Sequence, residues 1–245
     1  MKPFTRRGAG LGAAIALVVG LALTSAPAQA APANLKAVDI TGYKISDIVV
    51  SNKNCKTPSV KASIKKKTST VTDFTSDVYL TRNGKKINYG IANLRDLTAD
   101  FYFCPSRHGL GKYTVGPAKS EAEYTYKQDG TTYVESVKYI DNTKKDFYVR
   151  GAVKNSLTAK RQGSKVTLST TASVYAPEKD RYAQYNPKNA KLQVKSGKNW
   201  KTIKTLKLSN GKASITLKDS GKKTYRVSIP QSSYAVAKVS GSVSK

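Results

Sequence analysis

Along most of the chain, apolar and polar residues alternate with a period of two, the mark of strands with one buried face. In Lys165–Val174, Val166, Leu168, Ala172 and Val174 share one face, while Lys165, Thr167, Ser169, Thr171 and Ser173 take the other. Leu192 and Val194 point inward between Lys191 and Lys195, and Tyr225, Val227 and Ile229 form a further inward face that Pro230 ends. Asn83-Gly84, Asp129-Gly130 and Asn210-Gly211 read as two-residue hairpin turns, because both positions tolerate positive φ. They predict Leu80 opposite Ile87, Val78 opposite Tyr89, Tyr126 opposite Tyr133, Leu208 opposite Ala213 and Leu206 opposite Ile215. Ile203 is out of phase with Leu206, which implies a bulge between them. Ala99–Cys104 reads as an aromatic-rich strand, and no helix longer than a turn is expected. The predicted fold class is all-β: two immunoglobulin-like β-sandwich domains in tandem after a signal peptide, the second with about seven strands.

The N-terminus breaks this pattern. Lys2, Arg6 and Arg7 precede an apolar run from Leu11 to Leu23, and Ala28-Gln29-Ala30 follows as an A-x-A cleavage site. This is the layout of a secretory signal peptide cut after Ala30, with Ala33 as the neighbouring choice. The run is too short for a membrane helix, which needs about 20 apolar residues. Gly8-Ala9-Gly10 after the arginine pair favours the general export route over the twin-arginine one. The expectation is a secreted, extracellular protein without membrane insertion, with domains at 1–30 (signal), 31–151 and 152–245.

Export places Cys55 and Cys104, the two cysteines of the chain, in an oxidising compartment, where two cysteines are expected to pair. A redox role is disfavoured by the absence of C-x-x-C spacing.

Charge then divides the chain. The total is 43 Lys+Arg against 15 Asp+Glu, and removing the signal leaves +25. Residues 31–150 hold 20 basic and 12 acidic residues; residues 151–245 hold 20 basic and 3 acidic. The shift, with Gly151, sets the expected domain boundary.

Asp146-Phe-Tyr-Val-Arg150, Leu157-Thr-Ala-Lys160, Asp180-Arg-Tyr-Ala-Gln-Tyr185, Lys191-Leu-Gln-Val194 and Trp200-Lys-Thr-Ile-Lys-Thr205 together resemble a C-terminal module recurrent in secreted actinobacterial proteins. Tyr234-Ala235 and Ser240-Gly-Ser-Val243 look like its closing strand. The resemblance covers about 100 residues and implies an Ig-like sandwich on an exported protein. Its lysine load departs from that module's pattern.

Catalytic chemistry finds little footing. His108 is the only histidine, which excludes His-pair zinc sites, and two cysteines cannot form a Cys₄ site. Ser106 and His108 lack a nucleophile elbow. Asp96 and Asp100 lack the D-x-[DN]-x-[DN]-G pattern of a calcium loop, and nothing selects them as paired glycosidase carboxylates. No enzyme, cofactor or metal is expected. The outward cations Lys165, Lys191, Lys195, Lys212, Lys218 and Arg226 suggest binding to an anionic extracellular polymer or cell-wall surface, since unbalanced charge opposes compaction. Solubility and guarding of strand edges form the competing reading. Nucleic acid is excluded as a partner, because the lysines are not interleaved with stacking aromatics. A second expected surface, suited to another secreted protein, comprises Arg181, Tyr182 and Tyr185 with Tyr124, Tyr126 and Tyr133.

Overall fold

The computed structural model describes residues 36–245; the signal-peptide expectation lies outside them. Most of the described chain is strand, with only short helical turns, and Lys36–Lys245 forms one compact unit. Strands up to Gly151 pair among themselves, and so do strands from Val153 onward.

In the first half, β1 (Val38–Lys44), β3 (Ser59–Lys66) and β6 (Thr98–Asp100) make a three-stranded sheet in the order β1-β3-β6. It faces a sheet of β2 (Ile48–Val50), β4 (Val71–Arg82), β5 (Lys85–Asn93), β7 (Gly111–Gln128) and β9 (Lys145–Gly151), ordered β2-β9-β7-β4-β5. β8 (Thr131–Asp141) pairs with the far part of the long strand β7. β2 runs parallel to β9, and the other pairs are antiparallel. In the second half, β10 (Val153–Gln162), β11 (Lys165–Ala176), β12 (Arg181–Gln184) and β15 (Lys212–Lys218) form one sheet. β13 (Ala190–Ser196), β14 (Asn199–Leu206), β16 (Thr224–Ile229), β17 (Lys238–Val239) and β18 (Val243–Ser244) form the other. One layer thus holds the first, second, third and sixth strands of this half and the other holds the rest, a two-layer β-sandwich.

Alternation fills the layer between the sheets. Val166, Leu168 and Val174 of β11 pack with Leu192 of β13 and with Tyr225, Val227 and Ile229 of β16, all at most 8% exposed. In the first half, Phe103, Tyr113 and Phe147 form a chain of rings with centroids 5.3 and 5.7 Å apart. Several core aromatics are phenols. Burial pushes Tyr113 and Tyr225 up to about 12, and Tyr225 also donates to Asp219. Both stay neutral in the fold, whereas an unfolded phenol ionises near pH 10. Their contribution is therefore complete below pH 10 and is lost as pH rises toward 12. We expect phenolate absorbance at 295 nm to report these rings only together with cooperative unfolding in that window; free titration near pH 10 in the folded protein would contradict their burial.

Turn chemistry holds, but pairing departs from expectation at two of the three turns. Asn83, Asp129 and Asn210 all have positive φ, as do the glycines after them. The Asp129-Gly130 hairpin closes with Tyr126 opposite Tyr133. After Asn83-Gly84, Leu80 faces Asn88, and Val78 faces Gly90, because Ile87 is extruded as a bulge. At Asn210-Gly211 the expected hairpin does not form. The tight turn closes Ser209 on Lys212, then passes the chain from one sheet to the other: β14 pairs with β13 and β15 with β11. Gly211 N–H donates to Asn186 and its carbonyl accepts from Ala172, which steers the chain onto β11. A bulge is present, at Ile203 itself rather than between Ile203 and Leu206, since Leu192 faces Lys204 and Gln193 faces Thr202. The aromatic strand is shorter than expected, ending as β6 at Asp100 with a bridge at Phe103.

Cys55 and Cys104 are bonded. The bond does not tie the two sheets of this half together. Lys56 and Phe103, next to the two cysteines, exchange backbone hydrogen bonds of 2.8 and 3.0 Å that extend the β3–β6 pairing. The bond thus pins neighbouring segments of a single sheet.

Candidate functional site

The exposed face of the β10-β11-β15 sheet is built by strand alternation alone. Ladder pairing sets four rows across it: Gln162–Lys165–Lys218, Lys160–Thr167–Thr216, Thr158–Ser169–Ser214 and Ser156–Thr171–Lys212. Seven hydroxyl side chains therefore occupy the centre, spaced about 4.8 Å between strands and about 6.8 Å along them. Many are linked: Ser156 to Thr171 at 2.7 Å, Thr167 to Thr216 at 3.0 Å, and Ser169 to Ser214 at 3.0 Å. Each keeps unused hydrogen-bonding capacity toward solvent.

Lysines rim this lattice. Lys165 and Lys218 sit side by side at one end, Lys160 and Lys212 flank the middle, and Lys154 follows at the other end. Lys154 lies over the Tyr182 ring at 4.0 Å. The carboxylates of this half are engaged elsewhere. Asp180 takes Lys53 and the Tyr175 hydroxyl, which hold its carboxyl below the usual range. Asp219 takes Tyr225 and Lys223, which do the same. Among the described residues, no carboxylate lies within salt-bridge distance of Lys154, Lys160, Lys165, Lys212 or Lys218. The face thus presents hydroxyls and uncompensated ammonium groups together, the donors that an anionic, hydroxyl-rich chain needs.

The expected cation set does not form one patch. Lys165, Lys212 and Lys218 share this face, but Lys191, Lys195 and Arg226 project from the opposite sheet of the sandwich. Arg226 is also occupied, stacked over Trp200 at 4.1 Å and donating to Gln193 at 2.7 Å. The expected tyrosine surface is likewise corrected. Tyr185 is 4% exposed, packed in the core and edge-on to Tyr234. Tyr124 is 6% exposed and donates to Glu135. Tyr126 and Tyr133 stack at 5.4 Å, and Tyr133 reaches solvent. Arg181 is exposed and Tyr182 half-buried, both on strand β12. Sequence reasoning missed Lys154, Lys160 and the hydroxyl lattice. The signal was there in the Ser/Thr spacing of two in Ser156–Thr158, Thr167–Thr171 and Ser214–Thr216.

No family model matches the chain, and no curated protein does. Among solved structures, a β-glucuronidase from Parabacteroides merdae aligns with 85% of this chain at 11% identity and a TM-score of 0.23, and the chain covers 24% of that enzyme. A similarity of that size carries no argument about fold or function.

Proposed function

We propose that this is a secreted, non-enzymatic protein that binds an anionic extracellular or cell-wall polymer through the exposed β10-β11-β15 face. The observation behind this is the lattice of seven hydroxyls rimmed by five lysines without carboxylate partners. Lysine is a point charge on a flexible stem and suits a polymer whose anions vary in position. Hydroxyls add short-range contacts with the same repeat as the strands. Each exposed charge contact is worth roughly 0–1 kcal/mol, so affinity comes from several acting together along one chain.

The test compares two faces of one molecule. Replacing Lys160, Lys165, Lys212 and Lys218 with Gln should lower affinity for a polyphosphate or polyuronate about tenfold or more, an effect of at least about 1.4 kcal/mol. The salt dependence should flatten at the same time, because fewer ions are displaced. Replacing Lys191, Lys195, Lys201 and Lys204 removes equal charge from the other sheet and should cost much less. Equal losses in the two variants would mean that net charge alone, not this face, attracts the polymer. Undiminished binding in both would overturn the reading.

A further inference from the structure

The sheets end in edge strands that are not treated alike. β14 carries exposed Lys201 and Lys204 and the bulge at Ile203. β10 carries exposed Lys154 and Lys160. β5 opens with Lys85 and Lys86 and contains the bulge at Ile87. β1 is irregular between Ile40 and Gly42. Lysines and bulges are the usual devices that keep an edge from pairing with another chain. β8 has almost none of them. Its eleven ladder pairs with β7 run without interruption, it contains no proline, and Lys138 is its single lysine. It also carries exposed apolar side chains: Val134 is 67% exposed, Ile140 56% and Tyr133 43%.

We propose that β8 is a strand-addition edge on which a second copy of this chain pairs antiparallel across a two-fold axis. Antiparallel pairing points alternate residues' N–H and C=O groups at the neighbour. The two-residue hairpin closes on Gln128 and Thr131, so Thr132, Val134, Ser136, Lys138 and Ile140 direct theirs away from β7. A register with Val134 opposite Ile140 of the partner subunit places Ser136 opposite the partner's Lys138. It also sets Val137 opposite its own copy at the axis. The two exposed β-branched side chains then cover each other twice, and hydrogen-bonded pairs line the join. Charge permits this occupant here and opposes it elsewhere. On a chain of net +28, two copies repel across most of their surfaces, but the β7–β8 hairpin from Ala118 to Asp141 carries five carboxylates (Glu121, Glu123, Asp129, Glu135, Asp141) against three lysines, and Lys138 pairs with Glu121 at 3.4 Å. Lysines and irregular pairing on β1, β5, β10 and β14, and the three-residue length of the edge strands β2 and β6, keep association to this one strand. A closed two-fold pair also leaves no further β8 edge to extend a fibre.

Sedimentation equilibrium on the purified protein tests this over a wide concentration range. A mass twice that of one chain is expected, with dimerisation strengthened at about 1 M salt, where the screening length falls to about 3 Å. That direction is opposite to the polymer binding proposed above, so the two readings fail separately. Val134→Lys combined with Ile140→Lys gives β8 the guards found on the other edges and should abolish the dimer. Ser136→Pro removes one edge-facing N–H and should weaken it at least tenfold. Both variants should keep the parent's circular dichroism. A parent that stays monomeric at every concentration and salt overturns the proposal, as do guarded variants that still dimerise. Slow hydrogen exchange of the β8 edge amides that appears only with added polymer also overturns it.

Discussion

Replacing Cys55 and Cys104 with serine should cost about 4 kcal/mol of stability. The bond closes a loop with a sequence separation of 49 residues, and the chain-entropy estimate for a loop of that size is roughly 4 kcal/mol, most of it acting on the unfolded state. The native contacts should largely survive, because the Lys56–Phe103 backbone pair beside the bond holds the same two segments together. The expected result is a lower denaturation midpoint with β-sheet circular dichroism retained at low temperature. A larger denaturant m-value is also expected, since the unfolded chain without the cross-link exposes more surface. Reduction of the parent by dithiothreitol should reproduce the shift. A variant as stable as the parent would mean that the unfolded chain keeps these segments close without the bond.

The second large effect is expected at Arg150. Its side chain is 8% exposed, and its guanidinium lies between the two halves. It donates to Asp47 of the first half and, at 2.6 Å, to the carbonyl of Ser232 in the second, and it stacks over Tyr148 at 4.3 Å. Asp47 also accepts from Tyr148 N–H at 2.7 Å; these bonds outweigh its desolvation and hold its carboxyl below the usual range. Close by, Gly151 exchanges backbone bonds with Tyr234 and Val236, and a Cβ there would meet the Tyr175 carbonyl at 2.5 Å. Arg150→Ala removes charge-assisted bonds worth about 1.5–3 kcal/mol each and leaves a part-buried carbonyl without its donor. A loss of about 2–4 kcal/mol is expected, with the thermal transition splitting into two as the halves uncouple. Arg150→Lys should not restore it, because one ammonium cannot reproduce the planar fork and the stacking. A single unshifted transition in Arg150→Ala would show that the halves are not coupled through this residue.

How far the sequence carried the fold depends on what each signal encodes. Period-two alternation encodes which face of a strand is buried, and Val166, Leu168, Leu192, Tyr225, Val227 and Ile229 all lie inside. Asn-Gly and Asp-Gly encode a reversal, and each of the three occurs where expected. Neither signal encodes which sheet a strand joins. At Asn210-Gly211 the same local turn serves a crossing between layers, because the partner is chosen by packing against β11. The lysines illustrate the same limit. Alternation showed that Lys191 and Lys218 point outward, but outward has two directions in a sandwich, and they take opposite ones. Tyr185 misled for another reason. A phenol has an apolar body and a polar tip, so its type says little about depth, and here the hydroxyl approaches Ser232 while the ring fills the core.

The position of Arg150 along the chain carries one more consequence, for chain synthesis. Its carbonyl partner comes 82 residues later. Until β16 and the loop after it are in place, the Arg150 guanidinium lacks that acceptor and stays hydrated. A chain that stops short of Ser232 would therefore leave an open, charged seam at this position, a mark by which a truncated product differs from a finished one.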